Sequence, residues 1–514
     1  MPTINLPRFF CSFAVKFEDR HKYKEAGFEY NNQTKEWETY NPFVVKRLGL
    51  EFEQEKPEAL KHQGYQNHLF PYQKTGIEEC LHGLKESDFW CLGDQMGLGK
   101  TPMALRVAQE CLPEVKGLRI AIVCLANSRR VWYDHMHGNL DHKPKPIDRW
   151  LSGSLATEPC NTIYSSKDIM HNSGHIICSY SLAAKMLPDA GDFDFIILDE
   201  IQSLGNPASQ QTKAVLKFCE EQVEHGAKVL GLTGTWLKNC PIEIYPILNS
   251  IGPGLFRRMS YNYFANRYCQ PWMHPKTKRL IVEGFRNTEE LKYNLRTTCM
   301  TRRLVNEVRD DLPEPVFSHI QIEHNDAEIE HLLREEKDMF ERFIGVKERG
   351  LGLGDYSSLR KTLAQYKAPY IADYIRRRVM PNLEKVCVFC HTIDLARFLQ
   401  KELRDFGTVC IVGGTPAKNR DDMVSQFQSD PDCQIFIGNI QAAGVAITLT
   451  AASTLLFAET SWVPSDNDQV IGRIRRHGQV DQVHIKFMVL RGSLDEQILS
   501  KAYWKKEGIA EVLD

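Results

Sequence analysis

The chain has 514 residues, 42% of them hydrophobic and 25% charged, and its 64 Lys and Arg nearly balance 66 Asp and Glu for a formal net charge of −2. At roughly 100–200 residues per domain the length calls for about three to four domains, or two large ones with appendages, and the composition excludes disordered and collagen-like classes. Near-neutrality excludes a global positive field, so any nucleic-acid partner must be held by local basic patches.

Residues 1–66 read as a small α+β N-terminal unit with ten basic and ten acidic side chains. The first ten residues lack a basic stretch followed by an apolar run, so no secretory signal is expected. Residues 18–26 have helical composition and stop at Gly27, a residue suited to a helix C-terminus. Residues 28–30 and 35–40 flank the polar turn Asn31-Asn32-Gln33-Thr34, which predicts a hairpin.

Across 67–315, apolar runs at 119–125, 175–179, 193–198 and 228–232 are separated by helix-compatible stretches, the pattern of a parallel sheet covered by helices. His135, His137 and His142, close to Gly138 and Pro144, read as a solvated loop. Residues 316–380 read as a helical connector, because 325–349 is dense in Glu, Lys and Arg with apolar spacing at Ile329, Leu332, Leu333, Phe340 and Phe343. Residues 381–514 supply a second strand set at 385–390, 408–412, 434–437, 453–457 and 484–489. The expected fold class is α/β, with two parallel-sheet lobes, a helical connector and the small N-terminal domain.

Fifteen Cys without the dense regular spacing of a small secreted scaffold point to free thiols in a reducing, intracellular compartment. Cys387-Val-Phe-Cys390-His391 matches a haem-attachment string, but its flanks alternate like a buried strand. Residues 442–458 are uncharged, yet they are short for a membrane span and are interrupted by Thr448, Thr450, Ser453 and Thr454. A buried strand pair is expected there, and no membrane partner.

Chemistry concentrates in three strings. Asp94-Gln-Met-Gly97-Leu-Gly99-Lys100-Thr101 follows the apolar 89–92 and precedes a helix opening at Pro102. Gly97 and Gly99 let backbone N–H groups wrap phosphates, Lys100 reaches their outer oxygens, and the Thr101 hydroxyl can ligate Mg²⁺. Alone, the string could also be a glycine-rich turn. Next, Phe193-Asp-Phe-Ile-Ile-Leu-Asp199-Glu200 is an apolar strand ending in carboxylates, of which Asp199 would hold the metal through water and Glu200 would orient and deprotonate the attacking water. Lastly, in Gly472-Arg473-Ile-Arg475-Arg476-His477-Gly478, Arg473 and Arg476 are spaced to share one helical face and point at a γ-phosphate. A solvated basic helix is the plainer alternative for that string.

In their order these strings resemble the motifs of superfamily 2 helicases and, within them, the Swi/Snf-type DNA translocases. Phe70-Pro71-Tyr72-Gln73 with Gly76 resembles the adenine-reading segment, which would make Gln73 nucleotide-binding. Asp94 suits the family's DxMGLGKT loop. Residues 122–132 resemble the motif after the next strand, with Leu125 in place of the usual Pro. Asp199-Glu200-Ile201-Gln202 resembles a DEAH box with Gln202 for His, and Leu232-Thr233-Gly234-Thr235 resembles the coupling motif with Trp236 for Pro. Arg302-Arg303-Leu304 with Asp311-Leu312-Pro313, then 388–390, Gly413-Gly414-Thr415 with Arg420, 441–450 and Trp462-Val463-Pro464 follow in family order. The resemblance covers about residues 67–505.

It implies a DNA-dependent ATPase with two RecA-like lobes, lobe 1 at 67–315 and lobe 2 at 381–514, that uses ATP and Mg²⁺ between the lobes. Compact lobes are most similar to the HepA-related annealing helicases, whose substrate-recognition domain has a pattern like Lys24 to Phe28 and Tyr30 to Trp37. That resemblance implies action on duplex, forked or branched DNA, through annealing, fork regression or branch migration, in the nucleus or the nucleoid according to host. An alternative is a nucleotide-dependent factor that strips proteins such as polymerase from DNA. Residues 256–286 carry Arg257, Arg258, Arg267, Lys276, Lys278, Arg279 and Arg286 against Glu283 alone, interleaved with aromatics. Arg257, Arg258, Arg267, Lys276 and Lys278 are therefore candidate DNA contacts, as are Lys35 and Trp37, although Trp37 is equally suited to anchor the core of a small hairpin domain.

Overall fold

The computed structural model describes residues 3–5, 10–13, 20–49, 69–138, 149–168, 173–273, 278, 280–309, 312–323, 353–382, 385–443, 447–461, 463–476 and 478–514. They divide into two compact units, one of residues 1–271, 282–304 and 508–514, the other of residues 272–281 and 305–507.

The first unit begins with an antiparallel sheet of β1 (Thr3–Asn5), β2 (Phe10–Phe13), β3 (Glu29–Asn31) and β4 (Glu36–Thr39), in the order β1-β2-β4-β3. The helix Arg20–Ala26 ends at Gly27, whose φ of +100° is open to glycine without strain. The expected division after residue 66 is not where packing divides the chain. Asn41 caps the helix Pro42–Arg47 and also donates from Nδ2 to Glu290 Oε1 at 3.0 Å, while Phe43 N donates to Asn294 Oδ1 at 3.2 Å. Residues 41–46 are thereby bonded to the helix Thr288–Thr298 of the same unit.

The main sheet of this unit is wholly parallel. It is built from β5 (Phe89–Leu92), β6 (Ile120–Cys124), β7 (Cys160–Thr162), β8 (His175–Ser179), β9 (Phe195–Asp199), β10 (Lys228–Leu232) and, after a two-stranded ribbon of β11 (Gln270–Met273) and β12 (Leu280–Glu283), β13 (Met300–Thr301). The order is β13-β5-β10-β9-β6-β8-β7. Successive residues of β9 enter opposite cores, Ile196 and Leu198 one and Phe195 and Ile197 the other. Helices therefore cover both faces, which explains the unbroken apolar runs.

The second unit repeats this plan with β14 (Val316–Ile322), β15 (Val386–Cys390), β16 (Thr408–Ile411), β17 (Ile435–Asn439), β18 (Thr454–Phe457) and β19 (His484–Leu490), all parallel in the order β14-β19-β18-β15-β17-β16. Val386, Val388 and Cys390 enter one core, Cys387 and Phe389 the other. The Cys387/Cys390 string is thus a buried strand, as its alternation suggests.

Three expectations need correction. Residues 316–380 do not form a helical connector throughout, since 316–322 is the edge strand β14; it is exposed from Val316 to His319, and Ser318, His319 and Gln321 interrupt its sequence, so it lacks the unbroken apolar run of its neighbours. Residues 324–352, with the expected helix at 325–349, lie outside the described residues. Among the described residues of the stretch 442–458 the one strand is β18, not a strand pair. His135 and His137 sit in the last turn of the helix Arg129–His137, not in a loop, and His142 lies outside the described residues. Among the described residues no helix is long and apolar enough to cross a membrane.

Candidate active site

The phosphate-binding string forms the turn between β5 and the helix Lys100–Cys111. Gly97 and Gly99 have φ of +88° and +77°. A Cβ on Gly99 would also lie 2.4 Å from Gln73 Nε2, so both backbone conformation and space demand glycine there. Gln73 braces the turn: Nε2 donates to Leu98 O at 3.0 Å and Oε1 accepts from Phe70 N at 3.0 Å. The Tyr72 hydroxyl donates to the same Leu98 carbonyl at 3.2 Å. The Lys100 ammonium rests on the carbonyls of Asp94 at 2.7 Å and Gln95 at 3.3 Å. Burial holds its pKa below the usual lysine range, against the charges of Glu200, Asp94 and Asp199. Thr101 follows in the first helical turn, half-buried.

Asp199 closes β9, and Glu200 turns the chain in the left-handed region at φ 54°, ψ 53°. A non-glycine residue held there stores strain of the kind found at functional sites. Gln202, at the position where the family has His, donates its amide to Glu200 Oε2. Asp199 is fixed twice, by the Trp132 indole N–H donating to Oδ2 at 2.9 Å and by the Tyr180 hydroxyl donating to the main-chain carbonyl at 2.8 Å. Burial and then the adjacent Glu200 charge push its carboxyl up to about 7, with the Trp132 hydrogen bond and Lys100 acting the other way. Lys100, Asp199 and Glu200 are thus within electrostatic reach of one another in one unit.

The two arginines after β13 tie this site together, a role that sequence reasoning missed. Arg302 Nη1 donates to Gly93 O at 2.7 Å and Gly234 O at 3.0 Å, joining the end of β5 to the coupling string after β10, and its Nε donates to Asp514 Oδ1 at 2.6 Å. Arg303 donates from its backbone N and its Nε to Asp94 Oδ1 at 3.0 and 3.2 Å, and from Nη1 to Tyr72 O at 2.8 Å. Gly76 is small because a Cβ there would come within 2.1 Å of that guanidinium. Asp94 is fully buried, which raises its pKa against the Arg303 charge. Trp236, in the place of the family's Pro, fills the core. Asp94 was signalled in advance by its fit to the DxMGLGKT loop, but its pairing with Arg303 was not.

Arg473 and Arg476 belong to the second unit. The helix Pro464–Ile474 ends before Arg476, so the shared helical face is corrected: Arg473 is in the last turn and Arg476 lies beyond it. Arg476 Nη1 donates to Ile447 O at 3.1 Å and Thr448 Oγ1 at 3.0 Å, and burial followed by the charge of Arg473 pushes its pKa down to about 10. Arg475 pairs instead with Glu314 at 3.1 Å. Trp462 and His477 lie outside the described residues.

The candidate DNA contacts separate. Arg257 and Arg258 are exposed, the latter with its guanidinium 3.9 Å from the Tyr40 ring centroid. Arg267 is paired with Glu290, with Nε and Nη2 within 2.7–2.9 Å of the carboxylate, unlike the exposed Arg257 and Arg258. Lys278 is exposed at φ 51°, whereas Lys276 and Arg279 lie outside the described residues. Phe256, Phe264 and Tyr268 are core residues. Lys35 is exposed at φ 63°, but Trp37 is 7% exposed and packs against Tyr30 with ring centroids 5.5 Å apart, the placement of a hairpin-core residue.

Comparison with known proteins places these observations. A family model for the helicase conserved C-terminal domain matches residues 370–478, and one for the SNF2-related domain matches residues 72–354. The human DNA annealing helicase and endonuclease ZRANB3 is 29% identical over 443 residues, covering 83% of this chain and 39% of that protein. The Caenorhabditis elegans homolog of SWI/SNF-related matrix-associated actin-dependent regulator of chromatin subfamily A-like protein 1 is 26% identical over 456 residues, covering 86% and 62%. The chain spans about two fifths of the former and three fifths of the latter. Among solved structures, the Sulfolobus solfataricus SWI2/SNF2 ATPase core in complex with dsDNA is 20% identical, with 90% of this chain and 99% of that one covered and a TM-score of 0.38. Because the SNF2-related model alone matches more than half of its length, this chain belongs to the SNF2-related family.

Proposed function

We propose that the chain is an ATP-dependent DNA translocase that remodels forked or branched DNA, by annealing, fork regression or branch migration. The observation that carries this reading is the electrostatic proximity of Lys100, after β5, to Asp199 and Glu200, at the end of β9, on strands that flank β10 in one unit of an SNF2-related chain. Lys100 neutralises phosphate charge, Gly97 and Gly99 offer backbone N–H groups, and Gln73 sets the nucleotide's purine side. The Thr101 hydroxyl and the Asp199 carboxylate are hard oxygen donors that suit magnesium, which when bound would offset phosphate charge. Glu200 takes the proton of the attacking water, and Arg473 and Arg476 stabilise charge during phosphoryl transfer.

Relatives named as DNA annealing helicases support the substrate class. Exposed Arg257, Arg258, Lys278 and Lys35 supply phosphate contacts, which carry affinity and little sequence preference. The deciding experiment measures ATPase rate at fixed salt against single-stranded, duplex and forked DNA. Stimulation by duplex, and more strongly by forks, is expected. A rate that ignores all DNA but responds to a DNA-bound protein such as polymerase would replace this reading with a protein-stripping factor.

A further inference from the structure

Trp132 heads the largest fully buried side chains, 1% exposed in the helix Arg129–His137, where its backbone N donates to Ser128 O at 3.1 Å. Its indole N–H is directed at one acceptor, Asp199 Oδ2, 67 residues away in sequence. Packing does not require this pairing: the indole nitrogens of the equally buried Trp236 and of Trp37 have no hydrogen-bond partner among the described residues. A ring that only filled space could also have met a neutral carbonyl, as most buried donors do. This one meets the carboxylate that the proposed function assigns to the metal, and the Tyr180 hydroxyl holds the same residue's main chain.

We propose that Trp132 is a positioning residue for the nucleotide-bound magnesium. Its N–H occupies Oδ2 of Asp199 and, with the Glu200 backbone that also bonds this carboxylate, limits the carboxylate's rotation. The proposal rests on the nucleotide-site reading above. Groups that orient a metal-holding side chain are typically worth about 10–100-fold in metal affinity or activity.

The test is equilibrium binding of a fluorescent ADP analogue to the full chain, titrated with magnesium chloride and repeated in EDTA. In Trp132→Phe the magnesium needed for half-saturation should rise by about tenfold, while affinity in EDTA stays within about twofold of wild type. Coincident magnesium curves would overturn the proposal, and so would equal weakening in both arms, the signature of a merely structural residue. A wild type that binds the analogue without regard to magnesium would overturn the magnesium reading itself, which separates the two failures. Should Trp132→Phe not fold, ¹⁵N-indole spectra of wild type and Asp199→Asn decide. One indole signal should be displaced by the Asp199 substitution and, in wild type, by magnesium added with ADP. A signal that moves with the substitution and ignores magnesium would sink the idea.

Discussion

Two groups of cations in the first unit occupy opposite environments. Around the phosphate loop, Lys100, Arg302 and Arg303 are largely withdrawn from solvent, and their donors are spent on carbonyls and on the buried Asp94. In the basic segment that follows, Arg257 and Arg258 stand in solvent, with Arg257 reaching the Ile251 carbonyl and Arg258 lying over Tyr40. Charges of the first kind are held in place before any ligand arrives and are little screened by salt; those of the second act over a Debye length of about 8–10 Å and fade as salt rises. The contrast teaches that one set is built for geometry and the other for attraction.

The largest effect should come from the loop. Lys100→Ala is expected to abolish ATP turnover while the circular dichroism spectrum stays native, because the ammonium supports phosphate and not a core; unchanged turnover would remove the contrast at its root. In the second unit, Arg473→Ala and Arg476→Ala should each slow single-turnover hydrolysis far more than they weaken ATP binding, since an arginine finger is worth about 10³–10⁵ in rate. Two variants with wild-type rates at saturating DNA would show that neither guanidinium faces the reaction.

A smaller but structural effect is expected at the Asp94–Arg303 pair. Removing one partner of a buried ion pair costs roughly 3–5 kcal/mol because the other charge is left uncompensated. Arg303→Met should therefore lower the first unit's unfolding midpoint by several degrees, and adding Asp94→Leu should recover much of the loss. Absence of any thermal shift would mean that the pair is not holding the loop. The smallest effect belongs to the exposed set: Arg257→Ala with Arg258→Ala should leave basal ATPase and melting unchanged, weaken DNA binding, and flatten the plot of log K against log salt by up to about two phosphate contacts. An unaltered slope would take these arginines out of the DNA surface.

The same contrast explains what could be read in advance. Strands buried on both faces advertise themselves as unbroken apolar runs, so β6, β8, β9, β10 and the strands of the second lobe were legible to within a residue or two. The loop was legible because glycines, lysine and threonine must be near neighbours in sequence to wrap a phosphate. Contacts that close the site were not, since Arg303 meets Asp94 across 209 residues and Trp132 meets Asp199 across 67, and no local pattern encodes such a meeting. Edge strand β14, half polar, has no apolar signature. In the basic segment, composition showed many cations but could not distinguish Arg267, paired with Glu290, from exposed Arg257. The spacing of Arg473 and Arg476 suits one helical face, but the helix stops at Ile474, and spacing alone does not mark that end.

The proposed hydrolysis turns on Glu200, the residue held at positive φ beside Asp199 and within electrostatic reach of Lys100. The most direct measurement is single-turnover hydrolysis of radiolabelled ATP by Glu200→Gln with forked DNA present, alongside ATP affinity on the same preparation. The amide keeps the shape of the side chain and cannot accept a proton, so ATP should bind close to wild-type strength while phosphate release falls by about 10²-fold or more. Hydrolysis at the wild-type rate with intact binding would show that another group positions the water, and would contradict the site described for this chain.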